Sequence, residues 1–96
     1  MRNYDKNAIM AEACRKIEEL IAIEHPNKGI TVRYIKMGTE EYAEFSDFEK
    51  SYHHLHLGEE YIIIANPETN LYFVDVTYDS MLTAVYEAMK LIQNKF

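Results

Sequence analysis

Three of the chain's four histidines, His53, His54 and His56, fall within four consecutive positions. On an extended strand His54 and His56 would project from one face about 7 Å apart, a spacing at which two imidazoles can reach one metal ion such as zinc. A site would need a third ligand, and Glu44, Asp47, Glu59 and Glu60 are the carboxylates closest in sequence. A metal-dependent or nucleotide-handling enzyme would be built on this pair. The competing reading is an edge strand with its polar side in water and Leu55 and Leu57 turned inward, because two ligands specify little on their own. Protonation of the three histidines below about pH 6.5 would also reduce the local negative charge without any metal.

Other groups capable of chemistry are few. Cys14 lies on the apolar stripe of a helix with no histidine fixed beside it, which reads as a buried structural thiol. Asp75 sits inside the run Leu71-Tyr72-Phe73-Val74-Asp75-Val76, where a carboxylate needs a partner, and Arg33 is the expected one in a structural ion pair. The three glycines are isolated, so no phosphate-cradling loop is present, and neither a Gly-x-Ser-x-Gly nor a Cys-x-x-Cys motif occurs. No catalytic residue and no cofactor is assigned.

Charge is distributed unevenly. Between Thr39 and Glu60 lie seven acids (Glu40, Glu41, Glu44, Asp47, Glu49, Glu59, Glu60) and one base, Lys50, so this segment carries the whole net charge of −6. Interleaved are Tyr42, Phe45, Phe48 and Tyr52, aromatic residues of the kind that anchor interfaces. Residues Glu40, Glu41, Tyr42, Glu44, Phe45, Asp47, Phe48 and Glu49 are therefore the candidate partner-binding set, directed at a basic protein surface. The plain alternative is a solvated acidic face whose aromatics tuck into the core.

The elements that must position these groups follow from periodicity. Ile9, Ala13, Ile17, Leu20 and Ile21, widened by Met10 and Cys14, predict an amphipathic helix over Asp5 to His25, capped by Asn3 or Asp5 and ended by Pro26. Ile30 to Met37 alternates as a strand. Thr39 to Ser51 reads as one or two helical turns broken near Ser46, where Ser46-Asp47-Phe48-Glu49 offers a capping box. Tyr52 to Leu57 alternates as a further strand. Two β-branched and aromatic runs, Tyr61 to Ala65 and Leu71 to Thr77, flank Asn66-Pro67-Glu68-Thr69-Asn70 and predict a hairpin. Leu82, Val85, Met89, Ile92 and Phe96 then mark a closing helix capped by Asp79 or Ser80.

A hairpin loop of two or four residues sets Ile64 opposite Phe73 and Ile62 opposite Asp75. One sheet face would then carry Tyr61, Ile63, Ala65, Tyr72, Val74, Val76 and Tyr78 beneath the helices. The other would carry Ile62, Ile64, Leu71 and Phe73, an apolar patch that the acidic segment covers incompletely and that predicts a homodimer.

The expected architecture is one α+β domain spanning residues 1–96, an antiparallel meander of three or four strands with both long helices on one face. The double-stranded-RNA-binding domain shares the bare order α-β-β-β-α, but this chain lacks a basic cluster opening its last helix. Its acidic balance argues against nucleic acid as a direct ligand. A single cysteine fits a reducing compartment, no run approaches the roughly 18 apolar residues of a membrane span, and Met1 to Asp5 do not resemble a signal peptide. A cytoplasmic protein with no membrane contact is expected. The reading this supports is a small acidic protein-binding module, in its sharpest form an inhibitor of phage or mobile-element type that blocks a nucleic-acid-binding protein by charge mimicry. The alternatives are the enzyme built on His54 and His56 and a structural homodimer module.

Overall fold

The computed structural model describes residues 6–68 and 70–95. Helix α1 (Lys6–Glu24) buries Met10, Cys14, Ile17 and Ile21, one stripe at spacings of four, three and four, while Leu20 turns outward. It ends before Pro26, and Asn27 and Gly29 adopt positive φ to turn the chain into strand β1 (Thr31–Lys36). Two short helices follow, α2 (Thr39–Ala43) and α3 (Asp47–Tyr52), then strands β2 (Glu60–Ala65) and β3 (Leu71–Asp75) and helix α4 (Met81–Lys95). Ser80 caps α4, its Oγ accepting the Thr83 N–H at 3.3 Å. The proposed caps Asn3 and Asp5 of α1, like Phe96, lie outside the described residues. No helix among the described residues is long and apolar enough to cross a membrane.

The expected α+β meander is present, with three antiparallel strands in the order β1-β2-β3 and both long helices on one face. Its register differs from the expected one by a single residue. Ile64 faces Tyr72, Ile63 faces Phe73 and Tyr61 faces Asp75, because the hairpin loop spans the five positions 66–70, closed by the Asn66 N–H on Asn70 O at 3.0 Å. An odd loop shifts every partner by one and exchanges the faces of β3 relative to β2. Ile62 and Ile64 therefore share the helix side with Tyr72, Val74 and Val76, and both are fully buried there. Leu71 and Phe73 lie on the opposite face with Tyr61 and Ile63. The four residues of the expected homodimer patch thus do not form one surface.

The middle segment covers that second face. Phe45, Leu55 and Met37 pack with Tyr61 and Ile63 into a separate buried cluster, flanked by Ile35, Tyr42, Leu71 and Phe73. The expected break at Ser46 is present with its capping box: Ser46 Oγ accepts the Glu49 N–H at 3.1 Å and Glu49 Oε1 accepts the Ser46 N–H at 3.0 Å. Helix α2 has Gly38 as its N-cap and no side-chain capping hydrogen bond.

Residues 52–57 do not form the expected strand. His54 takes a left-handed conformation (φ 54°), and its N–H donates to Ser51 O at 3.2 Å while the Leu55 N–H donates to Lys50 O at 2.9 Å. Those two bonds are a Schellman ending of α3, and they drive Leu55 into the core. Glycine is the residue best suited to this conformation. His54→Gly is therefore expected to raise stability by up to about 1 kcal/mol, read as a higher urea midpoint at unchanged slope.

Candidate functional site

Helix α3 builds the most distinctive surface. Its capping box holds the first turn, and Phe48 and Tyr52, four residues apart, stack on one another with ring centroids 5.6 Å apart and planes inclined by 19°. Phe48 is 73% exposed and Tyr52 61%, so the stack stands in water. It flanks a groove of about 970 Å³ whose other wall is the β2–β3 hairpin, with Asn66, Pro67 and Leu71, and the start of β1 at Thr31. From the stack a file of rings runs inward: Tyr52 meets His53 edge-on at 5.0 Å, His53 lies 4.5 Å from Phe73, and Phe73 meets Phe45 at 5.5 Å and Tyr61 at 6.0 Å. The exposed stack is thereby tied to the buried cluster, which holds α3 in a fixed orientation.

The segment that carries the stack is acidic. Glu40, Glu44 and Asp47 are exposed, whereas the segment's only base is already engaged. Lys50 Nζ sits 4.4 Å above the Tyr42 ring and 3.9 Å from Asp47 Oδ1. The hydrogen bonds Glu49 receives from the Ser46 backbone and hydroxyl hold its carboxyl below the usual range. The His53 pKa is lowered as well: burial disfavours the imidazolium and favours the neutral form, although Glu49 opposes this. Tyr61 ends the file inside the fold, its hydroxyl accepting the His56 N–H and donating to Glu59 Oε1, each at 3.0 Å, and burial raises its pKa to about 12.

The structure divides the sequence-predicted partner set. Phe45 is buried and Tyr42 half-buried beneath Lys50, so these two hold the segment to the sheet. Glu41 and Glu49 are half-buried, and Phe48, Glu40, Glu44 and Asp47 face water. Sequence reading did not assign Tyr52, His53 or the hairpin residues to the site. The i, i+4 pairing of Phe48 with Tyr52 was the available signal, obscured because Tyr42, Phe45 and Phe48 read as one stripe across a helix that in fact breaks at Ser46.

The histidine pair loses its geometric basis once residues 52–57 form a helix ending. His54 and His56 instead border a shallow depression beside Tyr42, Asp47 and Lys50. Among the described residues no group of three or more His, Cys, Asp or Glu side chains is placed to hold a metal ion. The expected Arg33–Asp75 pair is also absent, because β2 separates the two strands that carry them. Asp75 is exposed and its Oδ1 accepts from the Thr77 N–H at 3.0 Å and the Thr77 hydroxyl at 2.6 Å. Cys14 is buried as expected, and that burial raises its pKa to about 11, leaving the thiol protonated and unreactive at neutral pH.

The site and fold therefore define a three-stranded α+β meander that presents an acidic, aromatic helix beside a groove. No protein-family model, curated protein or solved structure matches the chain.

Proposed function

We propose that this chain is a non-catalytic, cytoplasmic binding module whose partner is a basic protein surface, docked against α3 and its groove. The observation carrying the reading is the Phe48–Tyr52 stack, two large rings left in water within the one segment that supplies the whole net charge. Exposed rings offer a partner apolar area and faces for arginine stacking, while Glu40, Glu44 and Asp47, exposed in the same segment, favour cationic groups. A blocking role is the natural use of such a surface: acids spaced along one face stand in for phosphates and cover a nucleic-acid-binding site.

The test is capture on the immobilised full chain, run in parallel with the Glu40→Lys/Glu41→Lys/Glu44→Lys variant and with Phe48→Ser/Tyr52→Ser. A specific protein should be retained by the wild type, lost by both variants, and released by raised salt, since exposed charges are screened over about 10 Å at 0.1 M. Added duplex nucleic acid should displace it if the surface imitates phosphates. Retention that is equal for all three proteins would remove α3 from consideration.

A further inference from the structure

The two edges of the sheet are finished differently. At β1, Glu18 of α1 accepts the outward Val32 N–H at 2.8 Å, and Arg33 and Lys36 stand exposed along the strand. These are devices that keep an edge from pairing with another chain. At β3 they are fewer: Leu71-Tyr72-Phe73-Val74 contains no lysine, proline or glycine and is half-buried throughout. The Val76 N–H donates to Glu60 O at 2.9 Å, so by alternation Tyr72 and Val74 also address β2, while Phe73 and Asp75 direct N–H and C=O outward. The Leu71 N–H is taken by Asn70 Oδ1 at 2.9 Å. No described residue pairs with the Phe73 or Asp75 backbone.

We propose that β3 pairs antiparallel with β3 of a second copy of this chain, about a twofold axis at Phe73, joining two three-stranded sheets into one. The occupant is a second copy because the edge is complementary to itself. Phe73 is the central residue of Leu71–Asp75 and presents donor and acceptor together, so the reversed strand offers the matching acceptor and donor. Asp75 is the strand's only charge, and the antiparallel arrangement sets it against the copy's Leu71. The two Asp75 carboxylates then stand at opposite ends, roughly 13 Å apart at strand rise. Beside the edge, Phe73, Val74 and Leu91 line a shallow groove of about 340 Å³ with Asp75, Glu87 and Lys90, so each copy brings a base as well as acids to the seam. The pairing is independent of the docking role proposed for α3, and salt separates them: docking of a basic partner weakens with salt, whereas pairing of two acidic chains does not.

The experiment is sedimentation of the full chain together with amide hydrogen exchange by NMR, at low and high concentration. A dimer is expected, with the Phe73 and Asp75 amides exchanging as slowly as those of central β2, and losing that protection on dilution to monomer. Asp75→Pro removes one outward donor at a φ that an edge strand accommodates, and should shift the chain to monomer, whereas Asp75→Asn keeps the donor and should remain dimeric. If the proline variant does not fold, the wild-type exchange rates decide. Three results overturn the pairing: a monomer with both amides exchanging fast, a monomer with both protected by another segment of the same chain, or a dimer in which both exchange freely.

Discussion

Phe45→Ala is expected to destabilise the protein by about 3 kcal/mol, while Phe48→Ala, three residues away, changes stability by no more than about 0.5 kcal/mol. Phe45 is 8% exposed and packs edge-on against Phe73, in the cluster that closes the second face of the sheet. Removing its ring leaves a cavity between the middle segment and β3 and re-exposes Ile63 and Tyr61. Among the rings of the described residues Phe48 touches only Tyr52, and it is already in water, so its loss removes a surface stack rather than core. Urea unfolding of both variants checks the contrast. Equal effects would mean that the segment is either wholly a cover or wholly a surface, and the division between Phe45 and Phe48 would be wrong. The same pair separates stability from docking, because Phe48→Ala should reduce partner capture from a fully folded protein.

That division explains what could be read in the sequence. Helical periods, the Ser46 capping box and the hairpin were legible because they are set by neighbours in the chain. The faces of β3 were not, since they hang on whether the loop holds an even or odd number of residues, and nothing in Asn66-Pro67-Glu68-Thr69-Asn70 settles that locally. Helix α4 gives a subtler case. Its most apolar stripe pointed at Leu82, yet Ala84, Ala88 and Ile92 are the buried residues and Leu82 is exposed. Alanine adds little to a hydrophobic pattern, but its small side chain lets α4 approach the sheet and α1 closely, and the close approach decides which face is buried. His54 and His56 misled for a related reason: alternation of polar and apolar residues looks like a strand, and a helix ending built with His54 in the left-handed position, where glycine is usual, hides its own signal.

Glu60 is the second residue whose loss should be felt throughout. In the sequence it belongs to the acidic segment and is a candidate metal ligand; in the fold it joins α1, β1 and β2. Its side chain is 17% exposed, with Oε1 2.8 Å from Lys6 Nζ and hydrogen-bonded by the Tyr34 hydroxyl. Lys6 also donates to Val76 O at 3.3 Å, at the end of β3. Burial by itself would raise the Glu60 pKa, but the hydrogen bonds from Lys6 and Tyr34 outweigh it and the carboxyl ends below its ordinary value. Burial and the same carboxylate push the Tyr34 hydroxyl the opposite way, far above the usual phenol range. Glu60→Ala leaves a half-buried ammonium and a phenol without their shared acceptor, a loss of about 2 kcal/mol once the partial exposure of Lys6 is allowed for. Because the folded pKa lies below the unfolded value of about 4.3, the stabilisation from ionised Glu60 is complete above that pH and disappears as pH falls through the folded pKa. Glu12 and Glu49 are lowered too, so the wild type alone would not isolate the effect. The decisive quantity is the difference in urea stability between wild type and Glu60→Gln, expected to be large at pH 7 and to shrink on acidification below about pH 4.3. Replacing all three partners by apolar isosteres, Lys6→Met with Tyr34→Phe and Glu60→Met, should recover most of the loss, since no buried charge is then left unpaired. A Glu60→Ala variant as stable as the wild type, or a difference from Glu60→Gln that does not change with pH, would show that this cluster is a surface contact and not a joint between the layers.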